Sequence, residues 1–115
     1  MSNEIETLEA QMGKLGKELP SVMSSFMKLD QECVKDGVLS HKTKELIALA
    51  IGITLRCKPC IQFHTAEAIK AGASRAEILE AASVSIFMGG GPAVAYAAAE
   101  LLPLLDDFKV NKEAI

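Results

Sequence analysis

Nineteen consecutive residues, Ala81 to Ala99, carry no charge, and that is about the length a single helix needs to cross a bilayer. The middle of the run reads Gly89-Gly90-Gly91-Pro92. Glycine loses the most backbone freedom when a helix forms, and proline has no N–H to give the ladder, so this quartet breaks a helix. Two short apolar segments bounded by Glu80 and Glu100 are therefore expected, folded back on each other as a helical hairpin of a soluble protein. Hydrophobic residues make up 50% of the chain, yet it has four Phe, one Tyr and no Trp. An interior of Ala, Leu, Ile, Val and Met suits closely packed helices. The 115 residues read as one domain, 1–115, able to bury roughly two-thirds of its unfolded surface in one core.

The remaining periodicity is helical, and no strand pattern appears. Asn3 to Glu18 carries Ile5, Leu8, Met12 and Leu15 at helical spacing, with Glu4, Glu6 and Glu9 in the early turns where the helix dipole favours negative charge. Pro20 opens a second helix, whose stripe of Val22, Met23, Phe26, Met27, Leu29 and Val34 is expected to face the core before Asp36-Gly37 ends it. Ser40 is a plausible N-cap for a third helix through about Leu55, apolar almost all round. Pro59 is placed to open a fourth helix running to about Lys70, stopped by Ala71-Gly72-Ala73. Ser74-Arg75-Ala76-Glu77 is a capping box for a fifth, which ends at the glycine triplet. A sixth follows from about Pro92 to Leu102, and Pro103 to Ile115 is expected to fray. The fold class is thus all-α, a bundle of about six helices. The third, fifth and sixth helices are too apolar for a small monomer, so an oligomer is expected.

Net charge is −3, with the 12 basic residues scattered, so no cationic face offers itself to nucleic acid or to an anionic membrane. The N-terminus Met1-Ser2-Asn3-Glu4-Ile5-Glu6 has no basic flank and no apolar core of a signal peptide, and a cytoplasmic location is expected. Cysteines in that compartment point to redox or metal chemistry before structural disulfides. Cys33 is expected to be an ordinary packed thiol.

Chemistry concentrates in Cys57-Lys58-Pro59-Cys60-Ile61-Gln62-Phe63-His64. Residues three and four apart are neighbours on a helix, so Cys57 meets Cys60 and Cys60 meets His64. At a helix N-terminus the unpaired N–H groups favour a thiolate, the nucleophilic form of cysteine. Position alone does not decide which sulfur attacks. Glu45, on the apolar third helix, is either a solvent-facing glutamate at the helix start in company with Lys42 and Lys44 or a carboxylate that needs a partner. If helices three and four run antiparallel, Glu45 lies ~18 Å up its helix from Cys57 while His64 returns ~10 Å, which leaves ~8 Å for two side chains to bridge. A carboxylate on the imidazole would fix its tautomer and raise its basicity, completing a Glu–His–Cys relay. Three readings stand on these residues: a thiol redox enzyme, a metal site using Cys57, Cys60 and His64 with Glu45, His41 or Cys33, and a redox sensor or structural oligomer without turnover. No cofactor is called for, because the glycine triplet lies between helices and follows no strand. Tyr96 is expected simply to pack.

Glu45, Arg56, the Cys57-x-x-Cys60-x-x-x-His64 spacing, Ala71-Gly72-Ala73 and the Ile86 to Pro92 stretch together resemble the carboxymuconolactone decarboxylase superfamily, in its alkylhydroperoxidase D-like thiol branch. The resemblance spans about residues 20–105. It implies an all-helical trimer or hexamer that reduces hydroperoxides through a Cys-x-x-Cys disulfide cycle, with electrons from an external dithiol donor. By the same analogy Cys60 is the peroxidatic thiol, Cys57 the resolving one, and Glu45 with His64 the proton relay. The most developed peroxidases of that branch carry a histidine immediately before the second cysteine, where this chain has Pro59. The departure implies a slower reaction, or a protein or small-molecule disulfide as substrate. The decarboxylase branch lacks the cysteine pair, so lactone chemistry is the less expected inheritance.

Overall fold

The computed structural model describes residues 2–108, and among them every regular element is helical. The elements are α1 (Ser2–Glu18), α2 (Pro20–Val34), α3 (His41–Thr54), α4 (Lys58–Lys70), α5 (Arg75–Gly89), α6 (Gly91–Tyr96), a π-helical turn (Ala97–Leu101) and α7 (Leu102–Asp107). The last three run on without leaving helical dihedrals, so the molecule is a bundle of six helical rods.

Local chemistry sets the boundaries. Ser40 Oγ accepts the Thr43 N–H at 3.1 Å and caps α3. At α5, Ser74 Oγ accepts the Glu77 N–H at 3.1 Å while Glu77 returns a carboxylate oxygen to the Ser74 N–H at 2.9 Å. Both expected capping devices are therefore in place. Gly90, at φ 68°, makes the sharp corner between α5 and α6 that the glycine triplet foreshadows. Among the described residues no helix is long and apolar enough to cross a membrane.

The core lies where α3 packs against both α4 and α5. Leu49 and Ile53 of α3, Ile61 and Ala68 of α4, and Ile78 and Ala82 of α5 are buried there, and Tyr96 packs against the same cluster. Lys42 of α3 reaches Glu77 of α5 at 2.9 Å and ties the two helices at the surface.

Three expectations are corrected. The segment from Pro103 is not frayed over 103–108: the helix passes through the proline, Leu104 and Leu105 are fully buried, and Phe108 packs on the core. A proline ring clashes with the carbonyl four residues earlier in a regular α-helix. The π turn just before it widens the ladder, as the Leu102 N–H bonding to the Ala97 carbonyl shows, and this absorbs the misfit. Residues 109–115 of that expected tail lie outside the described residues. Second, α2 has no buried residue. Its stripe of Val22, Phe26 and Leu29 is more than half exposed because α2 touches mainly α1 and leans little on the core helices. Third, Cys33 on that same helix is exposed and is no packed thiol.

Leu105→Ala should therefore cost about 2–5 kcal/mol in urea unfolding, the usual range for emptying a buried leucine site, whereas a frayed tail would lose almost nothing. The Glu77 carboxylate is held below the ordinary range, first by the Ser74 backbone N–H and then by Lys42. A depressed carboxylate adds stability that is fully present above its unfolded value near 4.5 and fades as pH falls through the folded value. Glu77→Gln keeps the cap but loses the charge, so it should flatten the acid limb of a stability–pH profile and lower the neutral plateau.

Candidate active site

The site is built on the turn between α3 and α4. At the end of α3 the Cys57 N–H reaches back to the Gly52 carbonyl and the Arg56 N–H to the Ile53 carbonyl, both at 3.0 Å. This is a Schellman ending, and Arg56 holds its left-handed position at φ 57°. The reversal leaves Cys57 as the N-cap of α4, with its Sγ accepting the Cys60 N–H at 3.2 Å. Helix α4 begins at Lys58, so Pro59 is its second residue rather than its first. Cys57 and Cys60 form a disulfide across 5.2 Å of Cα separation.

Helix α3 can approach this turn closely because of one missing side chain. A Cβ on Gly52 would stand 3.0 Å from Cys60 Cβ and 3.6 Å from the Cys60 carbonyl carbon. Gly52 therefore lets the two helices touch directly beneath the sulfurs.

On the same buried face of α3, two turns back, Glu45 is only 2% exposed. The His64 Nδ1–H donates to its Oε1 at 2.7 Å, which is the contact that the antiparallel geometry anticipated. Such a bond leaves His64 Nε2 as the imidazole nitrogen free to handle a proton. The other carboxylate oxygen faces His41, whose Nε2 lies 3.9 Å away and whose Nδ1–H donates to the Val34 carbonyl at 2.6 Å. Two imidazoles thus flank one buried carboxylate. The sequence offers His41 only as a metal ligand, although its place one turn before Glu45 on the same helix is the signal that it shares that neighbourhood.

Cys60 and His64 open into a cleft of about 870 Å³ between α4 and the α1–α2 hairpin. Leu8 and Met12 of α1, Met23, Phe26 and Met27 of α2, and Pro59 and Phe63 of α4 supply its apolar lining. The Met-rich stripe expected in the core lines this cleft instead. Nothing in the periodicity distinguishes the two, since an amphipathic stripe does not say what it covers. Cys57 is half-buried at the helix mouth and is not part of the cleft lining. Of the four candidate site residues, Glu45 lies on α3, Cys60 and His64 lie on α4, and Cys57 caps α4 at the turn between them. Among the described residues no group of three or more His, Cys, Asp or Glu side chains is arranged to hold a metal ion.

The sequence model of the Carboxymuconolactone decarboxylase family matches residues 20–102. This chain belongs to the carboxymuconolactone decarboxylase family. A family protein of Legionella pneumophila superposes with a TM-score of 0.88 at 41% identity, covering 93% of this chain and 95% of that one. Another, from Thermotoga maritima, for which a part in the antioxidative response has been suggested, superposes with a TM-score of 0.69 at 31% identity over 75% of this chain and 88% of its own. An uncharacterized protein of Cupriavidus necator is 35% identical over 101 residues, 88% of this chain and 89% of its own length. The carboxymuconolactone decarboxylase fold here thus carries a cysteine pair at the α3–α4 turn.

Gly52→Ala tests that turn. The added methyl forces α3 from α4 at Cys60, so it should destabilise the protein by about 1–3 kcal/mol in denaturant unfolding, the usual cost of overpacking.

Proposed function

We propose that the chain is a thiol-dependent peroxidase and disulfide oxidoreductase of antioxidant defence. The observation that carries this reading is that a bonded Cys57–Cys60 pair shares its helix with an imidazole held by a buried carboxylate, and that Cys60 and His64 open into the same cleft. The suggested antioxidative role of the Thermotoga maritima relative points the same way.

In the reduced protein Cys60 attacks as thiolate. Its sulfur takes the distal oxygen of a hydroperoxide, the O–O bond breaks, and the alkoxide leaves with a proton delivered by His64, giving Cys60 sulfenic acid and an alcohol. Glu45 holds the His64 Nδ1–H and so orients the ring, leaving Nε2 for the proton. The Cys57 thiolate then attacks the sulfenic sulfur, water leaves, and the disulfide forms. An external dithiol reduces that disulfide through a mixed disulfide and is itself oxidised, which returns both thiols. Assigning the attack to Cys60 rests on its place in the cleft; Cys57, capped by the Cys60 N–H, is the resolving sulfur. With a substrate disulfide in place of the peroxide, the Cys60 thiolate attacks its S–S bond and expels a thiolate, Cys57 resolves the mixed disulfide and releases the second thiolate, and the external dithiol again restores both thiols. This disulfide oxidoreductase is the reading that Pro59 in the place of a relay histidine favours.

The working unit in this proposal is a homo-oligomer, a trimer or hexamer. Ile47, Ile51 and Leu55 run along one side of α3, and Val84, Phe87 and Met88 lie on α5, all of them exposed. A second copy would cover such faces.

Peroxide consumption with a small dithiol, followed alongside free-thiol counts, tests the reading. Cys60→Ser and Cys57→Ser should each abolish turnover, and His64→Ala should lower kcat/KM by about 10²–10⁴-fold, the usual weight of general acid–base catalysis. Undiminished turnover in Cys60→Ser overturns the proposal. A disulfide that forms once with no turnover would leave a redox sensor.

A further inference from the structure

The cleft over Cys60 has a charge pattern that its apolar lining hides. Glu9 of α1, Asp30 of α2 and Glu67 of α4 all line it, one carboxylate from each of the three helices that enclose it. No lysine or arginine is among the lining residues, and the lining imidazole, His64, is paired with the buried Glu45 carboxylate. Lys70 stands 3.9 Å from Glu67 with its side chain 70% exposed, and it does not line the cleft. A low-dielectric trough with acidic walls repels anions and focuses that repulsion on whatever approaches Cys60. Its apolar lining meanwhile rewards the burial of hydrocarbon.

We propose that the cleft selects uncharged, apolar molecules and excludes anionic ones, so that the substrate and the reductant meeting Cys60 are neutral, bulky, hydrocarbon-bearing compounds. This rests on the cleft being the approach to Cys60 in the proposed function. Under it, an uncharged alkyl or aryl hydroperoxide is accepted and the hydroperoxide of a fatty-acid anion is turned away. A neutral dithiol is likewise a better reductant than an anionic thiol peptide. Leu8, Met23, Phe26 and Phe63 hold the hydrocarbon, while Glu9, Asp30 and Glu67 set the charge rule.

The test needs no peroxide. In Cys33→Ser/Cys57→Ser protein Cys60 is the sole thiol, and its thiolate attacks the S–S bond of an aromatic disulfide to form a mixed disulfide, expelling one coloured thiolate. Rates are measured with neutral 4,4′-dithiodipyridine and with dianionic 5,5′-dithiobis(2-nitrobenzoate), each divided by the rate of 2-mercaptoethanol with the same reagent. The normalised preference for the neutral reagent should be roughly tenfold or more at about 0.01 M ionic strength, in line with the steering that charged clefts exert. It should shrink toward unity at about 1 M salt, where the screening length falls from about 30 Å to about 3 Å. Adding Glu9→Gln, Asp30→Asn and Glu67→Gln should remove the preference at low salt, with circular dichroism confirming an unchanged helix content. A normalised ratio near one at low salt overturns the proposal, as does a preference indifferent to salt, or a Cys60 inert to both reagents. Failure of peroxide turnover with this preference intact would count against the peroxidase reading alone.

Discussion

A carboxylate that is 2% exposed inside a helical bundle is costly unless its charge is met. The His64 imidazole meets it at 2.7 Å, and much of the molecule's organisation depends on that bond. Glu45 sits in a stripe with Leu49, Gly52 and Ile53, the buried face of α3. His64 stands one turn after Cys60 on the first two turns of α4. Joining the two ends fixes how far α4 is drawn back along α3, because a slip of one turn would leave the carboxylate buried and unmatched. The register set there decides that Gly52, and not a bulkier neighbour, lies under Cys60, where a Cβ would stand 3.0 Å from the Cys60 Cβ.

That register gives the two sulfurs different surroundings although they are three residues apart. Cys57 precedes the first turn of α4, and its sulfur receives the Cys60 N–H, one of the donors a helix N-terminus leaves unpaired. Cys60 is inside the turn and faces the cleft together with His64. Two like residues thus acquire unlike roles from one backbone reversal: a sulfur held by the helix end and a sulfur presented to what enters the cleft. The cleft itself is a product of weak packing. Helix α2 has no buried residue, and α1 adds Ile5 to the core and touches α4 through Glu4, which lies 3.5 Å from Lys58 and accepts from Gln62 at 2.5 Å. A hairpin anchored at its polar end, with its apolar side turned toward α4, leaves a space in place of a core.

Much of this was legible in the chain because it rests on short-range rules. The caps at Ser40 and Ser74, the break at Gly89–Gly91 and the one-face spacing of Cys57, Cys60 and His64 all depend on residues within seven positions of one another. Even the Glu45–His64 contact followed from helix rise once a tight antiparallel turn was granted. What escaped depends on relations that spacing does not carry. Whether the α2 stripe meets core, cleft or solvent is decided by where a neighbouring helix lies, and the exposure of Cys33 follows from the same placement. The passage of the last helix through Pro103 requires the ladder to widen in the turn before it, and Ala97–Leu101 shows no composition that announces a π turn. His41 escaped for a subtler reason: its spacing to Glu45 was visible, but the 3.9 Å approach of its ring is set by the Val34 carbonyl at the end of α2, across a loop.

Two Schellman endings among the described residues show what the turn between α3 and α4 gives up in stability. Helix α4 closes with the Ala73 N–H on the Ala68 carbonyl and the Gly72 N–H on the Ile69 carbonyl, with Gly72 at φ 94°, where glycine carries no steric penalty. Helix α3 closes with the same pair of bonds, but Arg56 takes the left-handed position, at a cost of about 1 kcal/mol for a residue with a Cβ. The surrounding bonds override that preference. The Cys57 N–H is tied to Gly52, Cys57 is tied to Cys60 by the disulfide, and α4 is held to α3 through His64 and Glu45, so three ties bracket the backbone at Arg56. Strain of this kind persists only where the structure around it is over-determined. In this chain it falls on the residue that aims the cysteine pair.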